Sequence, residues 1–133
     1  MAVRVFHRDD ADTRLTMVAA DARLVVWPGV GAWDANMNYV RMQPGEENVP
    51  HAHGESEDTI FILSGEGTIR DLDRGSEHPF RAGQVVHVPA GVRHQVVGDR
   101  GVLVESVGGP CPADVAGLRR AGLIGEDRAN SRS

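Results

Sequence analysis

Two histidines one residue apart, His51 and His53, lie between a Pro44-Gly45 turn and an apolar run at residues 59–63, Thr-Ile-Phe-Ile-Leu. On extended backbone residues i and i+2 face the same side, so both imidazoles can be presented to one point. Rigidly held imidazole pairs suit zinc, iron, copper or nickel, and a nearby carboxylate can complete such a shell. Glu55, Glu57 and Asp58 are close enough in sequence to supply it. A second stretch at residues 83–94, GQVVHVPAGVRH, reads as a strand running into a Pro-Ala-Gly turn and adds His87 and His94.

Other chemistries are narrowed by what the chain lacks. All 14 basic residues are Arg, so neither a lysine Schiff base nor a P-loop lysine is available. Cys111, between Pro110 and Pro112, is the single cysteine, which excludes an intramolecular disulfide and a cysteine metal cluster. Chemistry therefore falls to histidine, carboxylates, Tyr39, hydroxyls or a metal. The net charge of −5, with no basic block, argues against a nucleic-acid partner. No apolar stretch approaches the ~20 residues of a membrane span, and the start, MAVRVFHRDD, lacks the apolar segment of a signal peptide. The expectation is a soluble, cytoplasmic protein acting on a small molecule.

The elements that must position these groups are short. The length of 133 residues suits one domain with a sizeable core. Apolar runs at residues 3–6, 15–18, 23–27, 36–42, 59–63, 68–72, 80–88, 95–97 and 102–107, separated by turn residues, predict an all-β fold of about ten strands. Residues 3–6 could be an edge or exchanged strand in a dimer. In residues 36–42 alternation sets Asn36, Asn38, Val40 and Met42 on one face and Met37, Tyr39 and Arg41 on the other. One of these faces is expected to border the pocket. Residues 73–78 read as a charged, solvated loop tip carrying His78. Past Gly108-Gly109-Pro110 the period changes, and residues 113–121 predict a short helix with Asp114 at its positive end. The expected organisation is one domain, a sandwich or barrel with a C-terminal helix, at residues 1–124 and a fraying tail at residues 125–133.

The two histidine stretches resemble the paired motifs of the cupin superfamily. The first motif, G-x5-H-x-H-x4-E-x6-G, is matched by Gly45, His51, His53 and Gly65, with Asp58 in the glutamate slot. The second, G-x5-P-x-G-x2-H-x3-N, is matched by Gly83, Pro89, Gly91 and His94, with Gly98 in the asparagine slot. The resemblance implies a jelly-roll barrel whose motif histidines, His51, His53 and His94, hold one divalent metal. The fourth ligand is where the chain departs from the family. Asp58 is one methylene shorter than glutamate, Glu57 points to the opposite face, and His87 is the rival donor on the second motif strand. A set of His51, His53, His87 and His94 would be nitrogen-only and favour zinc, with iron, nickel or manganese as alternatives. His87 is favoured here, which leaves Asp58 as a base or orienting group.

The WPG, HAHGESEDTIFILSGEG and VGGPCPAD stretches are similar to small cupin cyclases of aromatic polyketide pathways, the resistomycin cyclase type. That resemblance implies zinc-assisted intramolecular aldol closure of a polyketide-like substrate; an antibiotic pathway and a homodimer are the accompanying expectations. Asp58, Tyr39 and Arg41 are the catalytic candidates, and Trp27, Trp33, Met37, Phe61 and Phe80 the candidate walls. The alternatives are a mononuclear iron dioxygenase and a metal-dependent isomerase or lyase.

Overall fold

The computed structural model of the chain describes residues 2–125. Eight strands and one α-helix are present among them: β1 (Asp21–Val26), β2 (Met37–Met42), β3 (Glu57–Ser64), β4 (Glu66–Asp71), β5 (Ser76–Arg81), β6 (Val85–Val88), β7 (His94–Gly98), β8 (Val104–Cys111) and α1 (Val115–Arg120). The strands form a five-stranded sheet of order β1-β2-β8-β3-β6 and a three-stranded sheet of order β5-β4-β7. All pairings are antiparallel. The sheets face one another across a core built on Val40, Met42, Ile62, Ile69, Phe80 and Val104, so each strand alternates between lumen and outside. Ile62 and Val104 are 2% exposed, and each such side chain contributes about 1.5–3 kcal/mol by leaving water.

Register fixes which residues share a face. Leu24, Asn38, Gly108, Ile60 and Val86 form one cross-strand row on the lumen side, and Arg23, Tyr39, Val107, Phe61 and Val85 form the adjacent row on the outside. At the β3–β4 corner Gly65 has φ +85°, and a Cβ there would collide with the Leu103 carbonyl oxygen, so the tight turn demands glycine. The helix α1 packs Leu118 against Leu24 and Trp27, forming a second small core at one end of the barrel.

Several expected elements differ. Residues 3–6 form no strand, and Val3 and Val5 stand 96% and 95% exposed; the outer edge of β1 is met instead by residues 13–15, through the Arg14–Arg23 bridge and the Leu15 N–H to Ala22 carbonyl bond. Residues 15–18 form a turn whose Leu15 and Val18 pack on the core. The loop expected at residues 73–78 is shorter, and His78 lies exposed on β5 with Nε2 3.1 Å from Ser76 Oγ. Of the expected tail at residues 125–133, residues 126–133 lie outside the described residues.

Candidate metal centre

The two motifs meet directly. His51 N–H donates to the His94 carbonyl at 3.0 Å and His94 N–H to the His51 carbonyl at 2.8 Å, an isolated antiparallel bridge joining segments distant in sequence. The imidazoles of His51, His53 and His94 then converge, with ring centroids 4.4–5.2 Å apart and one ligand nitrogen from each within 4.8 Å of the others.

The second ring nitrogens determine what the first can do. His51 Nδ1 is 2.6 Å from the Val49 carbonyl and His94 Nδ1 is 2.9 Å from the Val92 carbonyl. His53 Nδ1 is 3.1 Å from Asp114 Oδ2. A carbonyl or carboxylate only accepts, so each Nδ1 carries a proton and each Nε2 is the nitrogen left to meet a cation. Hydrogen bonding of the far nitrogen is the usual means of fixing a ligating histidine.

Asp58 joins this cluster. It is 5% exposed, its Oδ2 is 3.2 Å from His53 Nε2 and 3.9 Å from His94 Nε2, and its Oδ1 has no hydrogen-bond partner among the described residues. The shorter side chain reaches the histidines because Asp58 is lumen-facing at the start of β3, in register with Pro110 and Val88. His87 does not reach them. The neighbouring Val86 and Val88 take the lumen face of β6, leaving His87 outside with Nε2 2.8 Å from Glu57 Oε1. The preference for His87 over Asp58 is therefore corrected, and with it the nitrogen-only donor set.

Burial and charge divide the three histidines. Burial lowers the pKa of His51 from 6.5 to about 4 and lowers that of His94. Burial works against charge on His53 too, but hydrogen bonds to Asp114 and Asp58 outweigh it and raise the pKa to about 9. His53 thus lies between two carboxylates, Asp114 on Nδ1 and Asp58 beside Nε2, where a divalent cation would compete with its second proton. Three imidazole nitrogens and one carboxylate, with Asp58 Oδ1 buried and unpartnered, are a donor set that fits a first-row divalent ion.

The cluster borders a cavity of about 470 Å³ whose walls are mostly apolar, among them Leu24, Trp27, Ile60, Phe80 and Val86. Trp27 and Phe80 are the expected walls found there. Met37 and Phe61 instead point outward and are 44% and 43% exposed, and Trp33 is half-buried, accepting the Ala113 N–H at its carbonyl. Tyr39 and Arg41 are also corrected, since they share the outer face of β2. Tyr39 donates to Glu105 and lies under the Arg8 and Arg23 guanidinium groups, while Arg41 is half-buried on the same side.

Three lumen residues escaped the sequence reading as site residues: Asn36, Asn38 and Asp114. The Oδ1 atoms of Asn36 and Asn38 are buried without partners, and a Cβ on Gly109 would stand 3.0 Å from both amide nitrogens. Alternation had placed both asparagines on one face, but nothing in sequence said that this face was the lumen.

Comparison with known proteins agrees with the fold and the motif assignment. Residues 38–104 match the family model for the cupin domain. Germin-like protein 3-5 of Oryza sativa subsp. japonica is 36% identical over 74 residues, covering 51% of this chain and 33% of that protein. Polyketide synthase CurC of Streptomyces cyaneus is 37% identical over 82 residues, covering 59% of this chain and 52% of that protein. The chain thus spans between a third and about half of the length of these relatives. Among solved structures, the polyketide cyclase RemF of Streptomyces resistomycificus superposes with a TM-score of 0.67 at 24% identity, covering 84% of this chain and 80% of that one. A predicted oxalate decarboxylase of Thermotoga maritima gives 0.68 at 19% identity, covering 82% and 99%. With the paired motifs closing on one histidine cluster inside a two-sheet barrel, the chain belongs to the cupin domain family.

Proposed function

We propose that this chain is a zinc-dependent cyclase that closes a ring in a polyketide-like chain by intramolecular aldol addition. The observation that carries the reading is the convergence of His51, His53, His94 and Asp58 beside an apolar cavity of about 470 Å³. The likeness to the polyketide cyclase RemF supports the reaction class, and that to the polyketide synthase CurC supports a polyketide-like substrate. His51, His53 and His94 would hold the cation through Nε2, with Asp58 Oδ2 as the fourth donor. Zinc bound there supplies Lewis acidity toward a substrate carbonyl.

The chain's own groups do the rest. Trp27, Leu24, Ile60 and Phe80 line a space that folds a flexible polyketone and keeps water from its reacting carbons. Asp58 Oδ1 is the atom we assign to take a methylene proton from between two carbonyls, a role supported by its burial without a hydrogen-bond partner. The carbanion adds to the facing carbonyl carbon, and Oδ1 returns the proton to the resulting alkoxide, so the step consumes no co-reactant. An apolar lumen accepts an aromatic product more readily than a sugar, which disfavours the isomerase and lyase alternatives.

The three-histidine, one-carboxylate set also suits iron, and this favours an iron dioxygenase as the second reading. Elemental analysis of the isolated protein, followed by assay of the zinc- and iron-loaded forms with a linear poly-β-ketone, decides between them. Zinc-dependent growth of an aromatic absorbance without oxygen uptake is expected. Oxygen consumption that requires iron, with no ring closure by the zinc form, would sink the cyclase reading.

A further inference from the structure

Asp114 serves two structures at once. Its Oδ1 accepts the Gly117 N–H at 3.0 Å, capping α1, and its Oδ2 accepts the His53 Nδ1–H at 3.1 Å. The space for this arrangement is made by residue 117. A Cβ on Gly117 would stand 2.5 Å from Asp114 Oδ2 and 2.9 Å from its Cγ, so only glycine lets the carboxylate lie over the first turn and still face the histidine.

The helix so capped is a wall of the cavity. Asp114, Gly117, Leu118 and Ala121 all border it. With six residues α1 is too short to persist by its own hydrogen bonds, and its place depends on what it docks against. Two attachments are evident: Leu118 in the small core with Leu24 and Trp27, and Asp114 on His53. Pro112 just before it is anchored by Ser56 Oγ, which donates to its carbonyl at 2.7 Å.

We propose that Asp114 is a positioning residue that couples α1 to the histidine cluster, so that a divalent cation at His53 and the docked helix stabilise one another. The inference rests on the metal reading given above. A carboxylate on Nδ1 holds the ring with Nε2 toward the cation, and loss of such partners commonly costs 10–100-fold in metal affinity. Coupling is reciprocal: if docking of α1 favours the cation, the cation favours docking by the same factor. The cavity wall would then be firmest when the site is loaded.

Two variants separate this from simple helix capping. Asp114→Ser keeps a good cap but is too short to reach His53. Gly117→Ala raises helix propensity by about 1 kcal/mol while its methyl displaces the carboxylate. Zinc affinity, by chelator competition, and amide hydrogen exchange across residues 115–120, with and without zinc, are the readouts. In the parent protein zinc should slow exchange in α1 about tenfold or more. Both variants should bind zinc about 10–100-fold more weakly, and in neither should α1 respond to zinc as the parent does. Parent-like zinc affinity in both variants, or α1 exchange indifferent to zinc in the parent, would overturn the coupling and leave the metal reading standing. A parent protein that binds no divalent cation would overturn both.

Discussion

The two faces of the five-stranded sheet both carry polar clusters, and they differ in what is left over. On the outside, Tyr39 donates to Glu105, Ser64 donates to Glu105 at 3.2 Å, and Arg23 donates to Asp21 and Asp9 at 2.9–3.0 Å. The Tyr39 hydroxyl holds the Glu105 carboxyl below its usual range, and burial together with Glu105 pushes Tyr39 up. Among the described residues, only Arg41 Nε is buried there without a partner. On the lumen side, Asn36, Asn38 and Asp58 each retain a buried oxygen with no hydrogen-bond partner among the described residues. Leaving such a group unpaired costs about 1–3 kcal/mol. The contrast teaches that the outer cluster is satisfied largely by its own members, while the inner one keeps buried polar atoms free for the cation proposed above.

The largest effect that could break this comparison is on cation binding. Replacing His51 and His94 together by Ala should abolish the bound cation, whereas Tyr39→Phe with Glu105→Gln should leave it at about one per chain. Elemental analysis after gel filtration reads both. A cation retained by the first pair, or lost from the second, would reverse the roles of the two faces.

A smaller effect sharpens the comparison at the one pair of residues it separates. Asp58→Asn should weaken zinc by about tenfold or more, and His87→Ala, on the outer face, should change it by less than about twofold. Equal loss in both would mean that β6 turns His87 inward when loaded.

The cation-free protein should show a stability that peaks near neutrality. His53 has its pKa raised from 6.5 to about 9, so its contribution is complete below pH 6.5 and is lost as pH rises through about 9. His51 has its pKa lowered from 6.5 to about 4, so stability is lost as pH falls from 6.5 toward 4. Each limb should amount to roughly 1–3 kcal/mol in chemical denaturation. Asp114→Asn should flatten the alkaline limb, and an unchanged slope there would show that Asp114 is not what keeps His53 charged.

The smallest expected effect is on the outside. Tyr39→Phe alone should cost about 1 kcal/mol of stability, the size of one hydrogen bond, with no change in zinc affinity. A shift in zinc affinity under titration would mean that the two faces communicate through β2.

Much of this was readable before any fold was known. The spacing of His51, His53 and His94 within the two motifs, the alternation along residues 36–42, and the helix beginning after Asp114 all rest on local rules. Periods of two and 3.6, and the preferences of turns and caps, operate over a few residues, so a chain carries them in plain view. What alternation cannot provide is phase. It assigned Tyr39 and Arg41 to one face of β2 and the two asparagines to the other, but which face looked inward depended on strands distant in sequence, β8 and β3.

His87 and Asp58 show the same limit at the site itself. Taken singly, a histidine is the better transition-metal donor, and the longer reach of glutamate made Asp58 look inadequate. Tertiary structure decided otherwise, because Val86 and Val88 claimed the lumen side of β6 and the pairing of β3 with β8 carried Asp58 to the histidines. The sequence by itself determined the donors, the short strands and the turns, since these follow from residue type and nearest neighbours. Only the packed barrel decided which donors meet, because convergence in space is set by long-range register and by competition among side chains for one buried face.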